Sequence, residues 1–234
     1  LLLAVTAGAC DSGSRDTPSP DRPGTPPPTT AGRTAPDPAA AAARDSTPRV
    51  IVLGDSLTAG LGLDTERSFP ALLESRLEAA GYHYRVINAG VSGDTSAGGL
   101  RRLEWALGEG VPAVLVVALG GNDGLRGLPP AQLEKNLAAI IEEGQRRGLT
   151  VILAGMEAPP NFGPEYTAAF RQTYQNLARE YKVSLIPFLL QGVAGDPSLN
   201  QADGIHPNER GAQVVADTVW HALEPALKKE RTSR

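Results

Sequence analysis

The amino-acid sequence predicts a three-layer α/β/α sandwich on a five-stranded parallel sheet. Two observations carry this. Five short runs of Val, Ile and Leu lack polar alternation, as strands covered on both faces do. Between them lie stretches with apolar residues at helical spacing, the alternation that defines an α/β domain. Arg49-Val50-Ile51-Val52-Leu53, set between Pro48 and Gly54, reads as the first strand. A helix follows over Phe69 to Ala80, with Leu72, Leu73 and Leu77 at its spacing and Gly81 as its stop. Tyr84 to Ile87 is the second strand, and Ala97 to Leu107 the next helix. Ala113 to Leu119, the most hydrophobic run, is a central strand. Pro129 to Arg147 is a helix opened by proline and closed by Gly148. Thr150 to Leu153 is the fourth strand, Glu165 to Tyr181 a helix, Val183 to Ile186 the fifth strand and Pro207 to Leu227 the last helix. The domain thus spans 49–227, about 180 residues, enough for its own core.

What precedes the domain differs in composition. Leu1 to Ala9 is an apolar run ending in small residues, about half of the ~20 needed to span a bilayer. It reads as the end of a signal peptide, and Ala7-Gly8-Ala9-Cys10 is similar to a bacterial lipobox whose Cys is acylated. The plainer alternative is an ordinary Ala-x-Ala cleavage site with an incidental Cys. Cys10 is the sole cysteine, so neither an intramolecular disulfide nor a Cys-based metal site is available. From Asp11 to Pro48, nine of 38 residues are proline and none is aromatic, so the segment reads as a disordered tether. Extended at ~3.1 Å per residue, it would reach on the order of 100 Å. Residues 228–234 read as a frayed tail. A net charge of −4 gives no electrostatic reason to expect a nucleic-acid partner.

In open α/β sheets the ligand site lies at the carboxyl ends of the strands. Those ends carry Gly54-Asp55-Ser56-Leu57, Asn88-Ala89-Gly90-Val91-Ser92-Gly93-Asp94, Gly120-Gly121-Asn122-Asp123-Gly124, Met156-Glu157 and, past a longer loop, Asp203-Gly204-Ile205-His206-Pro207. Of three histidines, His83 precedes the second strand at the opposite end, and His221 sits inside the last helix beside Trp220. Only His206 is on the rim, which argues for a general base and against a His-rich metal site. Asp203, three residues earlier, is placed to orient the imidazole, although a turn carboxylate is the plainer reading of that residue alone. Ser56 and Ser92 are the candidate nucleophiles. Ser56 is favoured because it lies between the first strand and a helix start, where backbone N–H groups favour developing negative charge. No Gly-x-Ser-x-Gly elbow occurs. An oxyanion would be met by the N–H groups of Ser56 and Gly93 and by the Asn122 side chain. Read from composition alone, Asn122 is a turn residue.

Taken together, the Gly-Asp-Ser-Leu, Gly93, Gly-Gly-Asn-Asp and Asp-Gly-Ile-His-Pro blocks resemble, in order, the four blocks of SGNH/GDSL hydrolases. Ser92 to Leu103 and the stretch Leu119 to Leu128 are similar to the bacterial arylesterase, acyl-CoA thioesterase I and lysophospholipase L1 group. The resemblance implies strand order 2-1-3-4-5, no cofactor, Ser56 as nucleophile, Ser56, Gly93 and Asn122 around the oxyanion, and His206 as base with Asp203 behind it. It also implies a mobile loop at Gly124 to Leu128 beside the acyl site. Asp55, Gly124, Leu125, Leu128, Glu157 and Ile205 are the expected substrate contacts. The substrate would be a short- to medium-chain acyl ester or thioester, and the protein would be exported and membrane-anchored through Cys10. Glu157 departs from what an acyl pocket leads one to expect. Two other readings remain: a carbohydrate O-acetyl esterase, for which 5% aromatic residues offer little stacking surface, and a non-catalytic binding lipoprotein.

Overall fold

A computed structural model of the chain describes residues 47–108 and 110–232. Cys10 and the leader, the tether up to residue 46, and residues 233–234 of the expected tail lie outside the described residues. The five strands are β1 (Arg49–Gly54), β2 (Arg85–Gly90), β3 (Pro112–Ala118), β4 (Thr150–Ala154) and β5 (Ser184–Ile186). They form one parallel sheet in the order β2-β1-β3-β4-β5. The helices are α1 (Ser56–Ala59), α2 (Phe69–Ala79), α3 (Ser96–Arg101), α4 (Leu103–Leu107), α5 (Gly121–Leu125), α6 (Pro130–Arg146), α7 (Pro164–Tyr181) and α8 (Glu209–Thr232). Right-handed crossovers put helices on opposite faces when the strand order reverses at β2. Accordingly α2 packs on α8, while α6 packs on α3 and α7. The central strands are the most apolar because both faces are covered: Ile51, Leu53, Leu115, Val116 and Val117 are fully buried.

Gly81 and Gly148 stop α2 and α6 as expected, each with φ near +75°, where a side chain would be strained. Three expectations need correction. First, β2 runs three residues past Ile87, and Asn88, Ala89 and Gly90 pair with Val52, Leu53 and Gly54. As an edge strand it is half-exposed, so its sequence carries a weaker apolar signal than its pairing would suggest. Gly90 has no room for a side chain, since a Cβ there would fall 2.2 Å from the Ala59 amide nitrogen.

Second, the helix expected over Ala97 to Leu107 is broken at Arg102, the residue that joins α3 to α4. Gly98-Gly99 is a poor helix segment, and the Arg102 guanidinium turns instead to the sheet end. Its Nε donates to Asp94 Oδ2 at 2.5 Å, Nη1 to the Ala89 carbonyl at 2.9 Å and Nη2 to the Gly54 carbonyl at 2.7 Å. Third, the last helix starts at Glu209, not Pro207, and runs to Thr232. Asn208 is its cap, because Asn208 Oδ1 accepts from the amides of Arg210 and Gly211.

Arg102 therefore ties the ends of β1 and β2 together through one largely buried cation. Arg102→Ala would leave the Asp94 carboxylate without its cation and take one donor from each of the Ala89 and Gly54 carbonyls, the latter keeping the Val91 amide, at a cost of ~3 kcal/mol. The expected outcome in urea is a lower unfolding midpoint with an unchanged slope.

Candidate active site

The strand order places the turn after β1 between the turns after β2 and β3, so three polar loops share one rim. Ser56 opens α1, directly after β1. Its neighbour Asp55 caps that helix, accepting from the Leu57 amide at 3.0 Å. The other Asp55 oxygen accepts from Asn122 Nδ2 at 3.2 Å. Asp55 is only 2% exposed, and burial pushes its carboxyl up to about 6 against the pull of its hydrogen bonds.

His206 reaches Ser56 from the far edge of the sheet. After β5 the chain returns along the rim, and Gln201 fastens the returning segment: its amide donates to the His206 carbonyl at 2.8 Å, and its side chain to the carbonyls of Leu61 and Pro207. There His206 Nε2 lies 2.9 Å from Ser56 Oγ, and His206 Nδ1 lies 2.6 Å from Asp203 Oδ2. Asp203 Oδ1 also accepts from the amides of Ile205 and His206, at 2.9 and 3.0 Å. The His206 amide and ring and the Ile205 amide hold the Asp203 carboxyl down to about 2, so it is a carboxylate throughout the neutral range. A carboxylate on Nδ1 fixes the proton there and leaves Nε2 free to accept one from Ser56. His83 and His221 stand apart, and His221 Nδ1 is engaged with the Asp217 carbonyl. Ser92 is exposed in the turn after β2.

The three expected oxyanion donors come from neighbouring turns. Ser56 contributes the first amide of α1. Gly93 sits after β2 at φ +82°, and its carbonyl accepts from Arg126 Nη2 at 2.9 Å. Asn122 lies in the first turn of α5, and Asp55 fixes which way its amide faces. Its neighbour Asp123 anchors that turn from below, accepting from Ser96 Oγ and the Ser96 amide at 2.6 and 2.7 Å.

A cavity of about 600 Å³ opens beside Ser56 and His206. Of the expected substrate contacts, Asp55, Leu125, Glu157 and Ile205 line it. Gly124 and Leu128 do not. Gly124 lies within α5, buried against Phe170 and Ala158, and Leu128 is held by its backbone to Asp123 and to the Tyr166 hydroxyl. Met156, Pro159, Pro160, Phe188 and Leu190 line the cavity as well and were not foreseen as substrate contacts. Phe188 and Leu190 follow β5 directly, a position that strand-end reading could have flagged. Among the described residues no three His, Cys, Asp or Glu side chains converge to hold a metal ion.

A parallel α/β sheet with Ser, His and Asp in hydrogen-bonded series on its carboxyl rim, and no nucleophile elbow, defines a class of serine hydrolases distinct from the common α/β type. Comparison with known proteins names the family. Residues 52–214 match the GDSL-like lipase/acylhydrolase family, and the chain belongs to it. Esterase TesA of Pseudomonas aeruginosa is 49% identical over 178 residues, covering 76% of this chain and 89% of that protein. The protein named thioesterase 1/protease 1/lysophospholipase L1 from Escherichia coli is 38% identical over 190 residues, 81% of this chain and 88% of its own. A crystal structure of TesA superposes with a TM-score of 0.73 at 49% identity, covering 76% of this chain and 99% of the other.

The buried Asp55 carboxyl predicts a pH signature. Its folded value, about 6, lies above the ordinary 3.8, so its contribution to stability is full below pH 3.8 and lost as pH rises through 6. The loss is on the order of 3 kcal/mol. Asp55→Asn lacks this loss, so stability measured by urea titration should rise more, or fall less, between pH 4 and pH 7 in the variant than in the wild type, by roughly that amount.

Proposed function

We propose that the chain is a serine esterase that hydrolyses short- to medium-chain acyl esters or thioesters through an acyl-Ser56 intermediate. The observation that carries this reading is the series Ser56 Oγ, His206 and Asp203, with contacts of 2.9 and 2.6 Å. His206 Nε2 takes the Ser56 proton as Oγ attacks the acyl carbon, and the carbonyl oxygen becomes an oxyanion. The amides of Ser56 and Gly93 and the Asn122 side chain meet that charge. The same imidazole then gives its proton to the departing alcohol or thiol. Water, deprotonated by His206, attacks the acyl carbon in turn; Ser56 takes the proton back and the acid leaves. Asp203 stays ionised and holds the imidazole in register during both transfers. The apolar wall of Leu125, Met156, Phe188, Leu190 and Ile205 suits an acyl chain, and the names of the relatives, esterase and thioesterase among them, favour the same chemistry.

We also propose that the protein is exported and held at a membrane by an acylated Cys10, with the Pro-rich segment as tether. Among the described residues no helix is long and apolar enough to cross a membrane. The lipobox-like Ala7-Gly8-Ala9-Cys10 supports the anchor. Wild type should enter the detergent phase on phase separation, and Cys10→Ala should stay in the aqueous phase; equal partitioning of the two would remove the anchor.

Ser56→Ala should lose turnover of p-nitrophenyl butyrate by at least about 10⁴-fold and should not react with a fluorophosphonate. Asp203→Asn should lose about 10³-fold with binding little changed, and Asn122→Ala about 10²-fold in kcat. A Ser56→Ala protein with undiminished turnover would refute the assignment.

A further inference from the structure

The cavity beside Ser56 is apolar along most of its wall, but two carboxyl groups line it. Asp55 is at the buried end, and both its oxygens are engaged, by the Leu57 amide and by Asn122. Glu157 is at the solvent end, in the loop after β4 between Met156 and Ala158, with its side chain 44% exposed. No Lys or Arg lines the cavity among the described residues, and His206 is its sole basic side chain. The cation nearest to Glu157 stands behind it: Arg171 on α7, itself outside the cavity lining, donates from Nε to Glu157 Oε1 at 3.1 Å. The second carboxylate oxygen has no protein hydrogen-bond partner among the described residues.

A long apolar chain that reaches this point must displace water from a charged group without giving it a partner, which is unfavourable. An anionic chain end adds like-charge repulsion, while an ammonium or other donor completes the carboxylate's hydrogen bonding. Building on the reading of Ser56 as an esterase nucleophile, we propose that Glu157 is a specificity-determining residue that selects acyl chains by the charge of their far end, favouring cationic or donor-bearing ends over anionic ones. The Arg171 pair partly offsets this field and sets its strength. As the pair is solvent-exposed, the discrimination is moderate, about tenfold between opposite charges.

The test uses the full-length chain and three p-nitrophenyl esters of like length: hexanoate, 6-ammoniohexanoate and 5-carboxypentanoate. In wild type, kcat/KM for the ammonium ester should exceed that for the carboxylate ester about tenfold at low salt, and the ratio should shrink as salt screens the pair. Glu157→Gln should bring the ratio near one, and Arg171→Gln should raise it above the wild-type value. An unaltered ratio in Glu157→Gln would overturn the inference. So would a uniform loss on all three esters with the ratio intact, since that is what a structural role produces. Absence of turnover of all three by wild type would refute the esterase reading and the inference with it, whereas turnover without discrimination refutes the inference alone.

Discussion

A single buried carboxylate holds the reactive rim together. Asp55 ends the first strand's reach, caps the helix that presents Ser56 and accepts from Asn122, so two of the three elements that would meet an oxyanion take their orientation from one side chain. Burying it costs stability, as the rise of its carboxyl to about 6 shows. That cost is tolerated because the alternatives are worse for the site: an apolar residue would leave the start of α1 uncapped and the Asn122 amide free to flip. Two further ion-bearing anchors stand behind it. Arg102 binds the ends of β1 and β2, and Asp123 binds the start of α3 to the start of α5. The rim is thus built on a few polar anchors, Asp55, Arg102 and Asp123, on a sheet whose interior is wholly apolar.

The reach of His206 depends on a different kind of support. Its loop departs from the far edge of the sheet and is long, so loop entropy alone would leave the imidazole poorly placed. Gln201, Asn208 and the short pairing of Asn200 with Pro207 close that loop on itself. Asp203 then works locally, binding two amides and the ring within three residues. The orientation of the imidazole is therefore encoded within Asp-Gly-Ile-His, and its position by residues outside it.

Much of this was legible in the chain itself. The strands were visible because parallel, doubly covered strands are continuous apolar runs, and Gly81 and Gly148 stop their helices where expected. Ser56, Asp203 and His206 could be picked out because chemistry collects at strand ends and only one histidine lies there. The rest was hidden for physical reasons. Asn88 to Gly90 pair as a strand through their backbone, which composition does not register. Arg102 interrupts a helix already weakened by Gly98-Gly99, and its turn toward Asp94 and the carbonyls of Ala89 and Gly54 is not registered by apolar spacing. Gly124 and Leu128 fall outside the cavity because Gly124 faces Phe170 and Ala158 from within α5 and the Tyr166 hydroxyl holds the Leu128 carbonyl, whereas Phe188 and Leu190, just past β5, line it at a strand end that was open to reading.

The proposed esterase chemistry requires that Ser56 Oγ form the covalent bond to the acyl group. Peptide mapping by mass spectrometry after inactivation with a p-nitrophenyl alkylphosphonate reads this directly, since the phosphonyl group is a stable mimic of the tetrahedral species. One adduct per chain is expected, on the peptide containing Ser56, formed in wild type and slowed strongly in His206→Ala. An adduct on Ser92 or elsewhere, or inactivation that leaves Ser56 unmodified, would contradict it.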